Sequence, residues 1–373
     1  MDGDRHRSWT LSTSGGQYLI CAGELSYFDL GNFMNTGGIV MMKPSKVEIV
    51  KLTSAEISAL WATHINISVV ICIMTHFLET CTDPDVLKVI EETKMMAEKH
   101  GGDIETLFSK EKIVIPEAFK AAKHVVPNTP KLFSDIFYIQ STLQICKFGL
   151  SSHTMGLTIS AREDMRIFYK ALMDDVSQLY NHVVNVMQEK GIFVRMPFMN
   201  YPNEVDFINK ENFLTGWFGR RRTLLGIEST HLLINAIQNQ MGIQLCTGFS
   251  QVCRDKELHE YFLRGNNLCR HILSSIHDVL AESGVPAAIT WDHGVTDSTV
   301  APFSDQLMLY IIGILSNLGM AAYGAGISTT MRRDISAMYA NFLTKTGAFG
   351  EDGMNLMIER KWMEQPPQFA SMK

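Results

Sequence analysis

The sequence lacks several signatures that would point to a particular chemistry. It contains no Walker phosphate loop, no Gly-x-Gly-x-x-Gly turn and no His-Glu-x-x-His helix, so nucleotide binding and zinc-protease activity are without their usual motifs. Its seven cysteines are odd in number and form no Cys-x-x-Cys pair, which predicts buried, reduced thiols in a cytoplasmic protein. Strand signals are almost absent. With 46% hydrophobic and 19% charged residues, the chain is expected to form a helical, globular core.

Positive charge is also in short supply. The 33 basic residues are outnumbered by 39 acidic ones, and no basic patch is visible, so nucleic acid is excluded as a partner. The first forty residues have no basic start followed by an apolar run, which argues against a signal peptide. Residues 1–47 are predicted to be a flexible extension or, alternatively, the product of a misassigned start, with the native chain beginning at Met41 or Met42.

An internal repeat is the strongest feature that is present. When the chain is shifted by about 172 residues it aligns with itself in order, with a two-residue gap before the repeated Phe-Ser-Asp. The alignment then continues through identical pairs: Phe133 with Phe303, Gly149 with Gly319, Gly156 with Gly326, Arg162 with Arg332, and Asp164 with Asp334. These matches predict a tandem duplication.

Each half contains four helix-length segments, in which apolar residues recur at three- and four-residue steps. In the first half the predicted helices cover about 53–80 and 84–110, a third that begins at the Phe-Ser-Asp motif, and a fourth from Asp164 to Gly191. In the second half they cover about 223–252, 255–283, 303–331 and 333–361. Four antiparallel helices with a long central connection predict a four-helix bundle in each half. The predicted segments are bundles at 48–192 and 221–373, joined by a linker at 193–220 that packs on both.

The repeated Phe-Ser-Asp is predicted to start the third helix of each bundle, because a side-chain oxygen there can accept an N–H of the first turn. The capping candidates are Ser134, Asp135, Ser304 and Asp305. The helix after the second motif is unusual, since residues 306–331 are 26 consecutive uncharged positions, long enough to span a bilayer. Its polar Ser316 and Asn317 favour a buried helix of a soluble protein, and membrane contact is not expected.

Several motifs taken together resemble one bacterial family, the domain of unknown function numbered 3231, which is common in endospore-forming bacteria. They include "LTSAEI", "PKLFSDIFY", "GIESTHL" and "VTDSTVAPFSDQLM", and the resemblance runs from about residue 48 to the C-terminus. It implies a ferritin-like fold for each half and kinship with spore-coat-like proteins, but no established activity. The predicted fold is therefore all-α, with two tandem ferritin-like antiparallel four-helix bundles.

A ferritin-like bundle raises the question of a di-metal site, which uses Glu-x-x-His pairs whose side chains share a helix face. Glu228-Ser-Thr-His231 is one such pair, but in the first half Glu56 is followed by Ala59 in place of the histidine. Partial sets could still hold iron, manganese or zinc. In the second bundle the candidates are Glu228, His231, His271, His277 and Asp352; in the first they are Glu56, His64, His100, His153, Asp175 and His182. The alternative is that these histidines form hydrogen bonds within or at the edge of the core.

Three consecutive arginines, Arg220, Arg221 and Arg222, stand at the start of a predicted helix, where backbone N–H groups also favour anions. A phosphate or carboxylate ligand could bind there. Pairing with carboxylates of the preceding loop, Glu204, Asp206 or Glu211, is the favoured interpretation. No residue is identified as catalytic.

The favoured function is that of a non-enzymatic structural or interaction protein, cytoplasmic or associated with the spore. Its partners would be proteins of spore or coat assembly, or further copies of itself. The second hypothesis is a metal-binding or oxidase-like ferritin relative that uses iron, manganese or zinc in the second bundle. The third is a binder of a small apolar ligand, held in a pocket between the third helices.

Overall fold

The computed structural model describes residues 50–216, 221–286 and 294–369. Within these residues the chain forms nine α-helices and a short 3-10 turn, without a β-strand. The helices are α1 (Ser54–Thr80), α2 (Pro84–Glu111), α3 (Ala121–His124), α4 (Asp135–Ile159), α5 (Glu163–Glu189), α6 (Gly226–Val252), α7 (Lys256–Glu282), α8 (Asp305–Thr329) and α9 (Arg333–Glu359). Helices α1, α2, α4 and α5 form one bundle and α6 to α9 the other, which confirms the all-α tandem arrangement. The closer likeness to ferritin stays an expectation from the family resemblance.

The two halves repeat one another helix for helix. Helices α1 and α6 are both 27 residues long and start 172 residues apart (226 − 54), whereas α4 and α8 are both 25 residues long and start 170 apart (305 − 135). The two-residue difference arises between the second and third helices of the halves. The proposed segment limits stay a prediction, and those for residues 1–47 and for Arg220 lie outside the described residues.

The serine of each Phe-Ser-Asp motif is the capping residue of its helix. Ser134 accepts a hydrogen bond from the backbone N–H of Phe137 at 3.3 Å, and Ser304 accepts one from Leu307 at 3.2 Å. The following aspartate is the first residue of the helix in both cases. Thus the serine satisfies an N–H that the helix itself leaves without a partner.

The loops that lead into α4 and α8 pair with each other, and we call this pairing the clasp (residues 124–134 and 294–304). The Ser134 N–H donates to the carbonyl of Gly294, and the Ser304 N–H donates to the carbonyl of His124, both at 2.9 Å. Isolated antiparallel bridges join Val125 to Phe303 and Phe133 to Val295. The two hydrogen bonds are equivalent under the repeat, and so are the two bridges. Replacing each residue by its counterpart 170 positions away in the other half converts one contact into the other. The repeated motif therefore starts a helix and also ties each half to the opposite one.

The connection between the bundles has both ends packed against them and a largely exposed middle. Phe193 lies against the core at one end, and the ring of Phe213 lies under the guanidinium of Arg222 at the other. Between these ends, residues 195–212 are exposed. Two large aromatic side chains there are almost fully exposed: Phe198 is 95% exposed and Tyr201 is 91% exposed.

Two helices, α1 and α8, are long and apolar enough to cross a membrane by length and composition. The sequence singled out only the second of them. Core helices of soluble proteins pass the same test, and α1 carries the buried polar side chains of Glu56, His64 and His76. These features are weak evidence for a membrane span, and the soluble core helix stays a prediction.

Candidate functional site

A cavity of about 170 Å³ lies where the two bundles meet. Helices α1 and α4 of the first bundle and α6 and α8 of the second provide most of its wall, and the cavity is lined almost wholly by apolar atoms. Its lining includes Val70, Ile145, Leu245, Ile311 and Leu315. Both third helices take part, which is the location that the apolar-ligand hypothesis requires.

Two histidines of the first bundle reach this cavity. The His153 Nδ1 is buried without a hydrogen-bond partner among the described residues, and burial lowers the pKa of His153 to about 4. His100 pairs through Nε2 with Asp175 at 2.9 Å, and Asp175 also accepts from Lys99 at 2.7 Å. The wall therefore presents a neutral imidazole at pH 7 beside a histidine whose Nε2 is already engaged.

The other first-bundle candidates do not converge with this pair, contrary to the idea that four helices bring four histidines to one metal. His64 lies 3.3 Å from Glu105, and His182 pairs with Glu92 near the surface. Glu56 is fully buried and accepts hydrogen bonds from the N–H and hydroxyl of Thr53 and from the N–H of Arg162. Its carboxylate therefore joins the starts of α1 and α5 and is not available to a metal.

Glu228, the acid of the Glu-x-x-His pair, has the same structural role in the second bundle. Arg222 donates to both carboxylate oxygens at 2.8 Å, and further hydrogen bonds come from Leu225, Thr330, Met331 and Arg332. Burial alone would raise the pKa of Glu228, but the hydrogen bonds from Arg222, Leu225 and Met331 outweigh it and lower the pKa to about 2. A carboxylate with this many donors has no oxygen left to offer a metal.

The remaining second-bundle candidates are also spread apart. His271 contacts the ammonium of Lys345 at 3.1 Å, Asp352 accepts from Arg264 at 2.7 Å, and the Nε2 of His277 is buried without a partner among the described residues. His231 is half-buried on α6. Across the ranges that the structure describes, no group of three or more His, Cys, Asp or Glu residues is placed to hold a metal. The donor sets proposed from sequence therefore do not fit a metal centre.

The two described arginines of the triplet are engaged by carboxylates of the protein. Arg222 binds Glu228 and lies over the ring of Phe213, 4.3 Å from its centroid. Arg221 donates to Glu282 at 2.7 Å. Pairing with carboxylates was the favoured interpretation, but the partners lie on helices and not on the preceding loop. The fold brings the start of α6 and the end of α7 to the arginines, and these helix ends supply the carboxylates.

Sequence inspection missed two histidines at the clasp. His124 contacts the Ser304 hydroxyl through Nδ1 at 2.8 Å, and so adds a cross-half contact to the cap of α8. His76 is fully buried with its ring 5.3 Å from that of Phe303, and burial lowers the pKa of His76 to about 4. The repeat gives one indication that His76 is special. The 172-residue shift places it opposite Gly248, so the second half has no histidine at that position.

The comparisons with known proteins identify the class of protein. The family described as "Protein of unknown function (DUF3231)" matches residues 45–205 and again residues 212–373. The two matches cover most of the chain, which therefore belongs to this family and contains two copies of its domain. No curated protein matches the chain.

One solved structure is similar to part of the chain. It is that of a "putative spore coat protein" from Bacillus halodurans, with 16% sequence identity and a TM-score of 0.38. The similarity covers 42% of this chain and 99% of that chain. Family membership rests on the family match alone.

Proposed function

We propose that this protein binds a small apolar molecule in the cavity between its two bundles. The observation that carries the proposal is the cavity itself, about 170 Å³ in volume and walled almost wholly by apolar atoms from both third helices. Ligand sites of this kind occur between the helices of bundles, where apolar side chains surround most of the ligand surface.

The energetics of packing support the same conclusion. Protein interiors are normally packed as closely as organic crystals. Interior space that no atoms fill costs stability, at about 24 cal/mol per Å³ of cavity. An apolar cavity of this size does not recover that loss by taking up water, because water needs polar partners. A bound apolar molecule restores the missing contacts.

Binding of the uncharged fluorescent probe N-phenyl-1-naphthylamine tests this function. Leu245 lines the cavity, and Leu245→Phe is expected to weaken probe binding at least tenfold because the ring occupies the same space. The matched control is Leu150→Phe, since Leu150 packs against the core but does not line the cavity. Thermal melting of both variants verifies folding. Absence of binding to the natural chain, or equal loss in both variants, contradicts the proposal.

A second candidate function is that of a non-enzymatic interaction protein associated with the spore. The exposed connection favours it, because Phe198, Tyr201 and Phe207 are 95%, 91% and 79% exposed. Large aromatic side chains at a surface are typical of protein–protein contacts. The proposed contact is with a protein of spore or coat assembly.

The triple variant Phe198→Ser/Tyr201→Ser/Phe207→Ser tests the second candidate in a sporulating host. Tagged natural chain is expected in the coat extract, and the triple variant is expected to stay in the soluble fraction of the mother cell. The variant Glu204→Ser/Lys210→Ser, in the same exposed stretch, is the control for changes in chain composition. Equal incorporation of all three proteins, or incorporation of none, contradicts the role of the connection.

A further inference from the structure

A second apolar space adjoins the cavity and opens beside the start of the connection. It is a crevice of about 270 Å³ between α4, α5, α6 and residues 193–196. The crevice and the cavity share Gln144 and Met241 as lining residues, so these two side chains stand between the spaces. A ligand that enters the crevice therefore meets the central cavity after passing one layer of side chains.

The crevice contains an ammonium group without a carboxylate partner. Lys147 is the charged residue of its lining, and among the described residues it forms no ion pair. Lys147 is an exposed residue, and partial desolvation of its ammonium by the surrounding protein atoms lowers its pKa. Elsewhere the lysines of this bundle commonly face an acid, as Lys131 faces Asp135 at 2.7 Å. An unpaired, crowded ammonium is suited to an anion brought by a ligand.

A second donor lines the same crevice. Gln140 is 5% exposed, and its side-chain nitrogen is buried without a hydrogen-bond partner among the described residues. A buried amide N–H₂ without an acceptor costs free energy, which an incoming oxygen would recover. Gln140, Gln144 and Lys147 are spaced i, i+4 and i+7 on α4, so they lie along one helix face. Two donors and an apolar wall define a site for an amphiphilic anion.

We infer that the crevice binds the carboxylate of a single-chain aliphatic acid, whose tail lies against the apolar wall that leads to the central cavity. Lys147 supplies the charge and Gln140 a neutral hydrogen-bond donor. The apolar remainder of the crevice, with Ile234 and Ile237 of α6, accepts the chain. This inference rests on the proposed function and names its ligand class.

Displacement of N-phenyl-1-naphthylamine by three twelve-carbon probes tests the inference on the full chain. Dodecanoate, 1-dodecanol and dodecylamine are compared at pH 7.4 below their micelle-forming concentrations. Dodecanoate is expected to bind at least tenfold more tightly than dodecanol, and dodecylamine more weakly than either. Lys147→Met is expected to weaken dodecanoate about tenfold or more and to leave dodecanol unchanged, because it removes only the charge-assisted contact.

The controls separate the headgroup site from the cavity. Lys147→Arg keeps the positive charge and is expected to retain the preference for dodecanoate, and Gln140→Leu is expected to reduce it less than Lys147→Met does. Equal affinity for dodecanoate and dodecanol, or an unchanged preference in Lys147→Met, overturns the carboxylate site while cavity binding stands. Failure of the naphthylamine and of all three probes to bind overturns both proposals.

Discussion

The two bundles share one helix plan but differ in how closely their helices approach. In the second bundle, glycines stand where helices touch: a methyl group on Gly265 would lie 2.8 Å from the ring of Phe349, and one on Gly242 would lie 2.7 Å from the sulfur of Cys269. The repeat places Thr93 and Val70 at the corresponding positions of the first bundle. Helices α6 and α7 accordingly pack more closely than α1 and α2, as α6 and α8 do compared with α1 and α4.

This difference accounts for the larger share of the cavity lining that the first bundle provides. Val70 lines it, whereas its counterpart Gly242 lets α6 come close to α7. Branched side chains hold helices apart, and glycines let backbones meet. After duplication, similar scaffolds can therefore differ locally: α6 and α7 approach closely at Gly242, and the first bundle keeps space beside Val70.

The buried acids of the two bundles provide the largest expected effect. Glu228 has Arg222 as a partner, whereas the repeat places Val50 opposite that arginine and leaves Glu56 with backbone and hydroxyl donors. A pKa lowered from 4.5 to about 2 corresponds to roughly 3 kcal/mol of stability. Because the folded pKa of Glu228 lies below its unfolded value, this stability is present above about pH 4.5 and is lost as the pH falls towards 2.

Urea unfolding at several pH values checks this prediction. Glu228→Gln is expected to lose stability at pH 7 and to flatten the dependence between pH 4.5 and 2. Glu56→Gln is the matched variant, and its effect is expected to be smaller, although the pKa of Glu56 is also lowered, by hydrogen bonds from Arg162 and Thr53 that outweigh the effect of burial. An equal pH dependence of the free energy of unfolding in the two variants would contradict the predicted difference between Glu228 and Glu56.

The second largest effect on stability is expected when a glycine at a helix contact of the second bundle is replaced by the residue at the corresponding position of the first. Gly265→Thr introduces the residue of the first bundle at a position where a methyl group would lie 2.8 Å from Phe349 and 2.9 Å from the sulfur of Cys246. The expected loss in the free energy of unfolding is about 2–3 kcal/mol, because overpacking forces side chains from their rotamers. Gly313→Ala is the control: no atom lies within 4 Å there, and we expect a gain of up to about 1 kcal/mol. Similar losses in both variants would show that packing of the contact is not the cause.

The smallest effect is expected from the aspartates of the repeated motif, Asp135 and Asp305. Their contributions to stability should change with pH in opposite directions. Burial would raise the pKa of Asp135, but hydrogen bonds from Lys131 and Thr82 outweigh it and lower the pKa. For Asp305, burial and the charge of Asp255 both raise the pKa. The stability that Asp135 contributes is therefore lost as the pH falls, whereas that of Asp305 is lost as the pH rises through its folded pKa.

At pH 7, Asp135→Asn is expected to destabilise the protein by about 1 kcal/mol, the upper range for an ion pair that is partly exposed to water. Asp305→Asn is expected to be neutral or stabilising by about 0.5 kcal/mol, since it removes a charge that the fold disfavours. Thermal melting at pH 7 compares the two variants. A change of the same sign in both variants would contradict the assigned environments.

The helices were predictable because local sequence signals determine where they start. The roles of buried side chains and the cavity were not, because they depend on contacts between residues far apart in the sequence. Pro84 and Ser134 mark helix starts by chemistry that depends on neighbouring residues only, and the observed helices start at or next to them. The role of Glu228 was not predictable, because three of its donors lie about 100 residues away at the start of α9. The cavity is likewise bounded by helices of both halves, so no single stretch of sequence encodes it.

A crystal of the protein under xenon pressure tests the central claim most directly, since xenon enters apolar cavities and needs no chemical recognition. The account predicts a xenon site between α1, α4, α6 and α8, beside Val70 and Ile145. Density for side chains that fill this space, with xenon bound elsewhere or absent, would contradict the claim that the bundles form a ligand cavity between them.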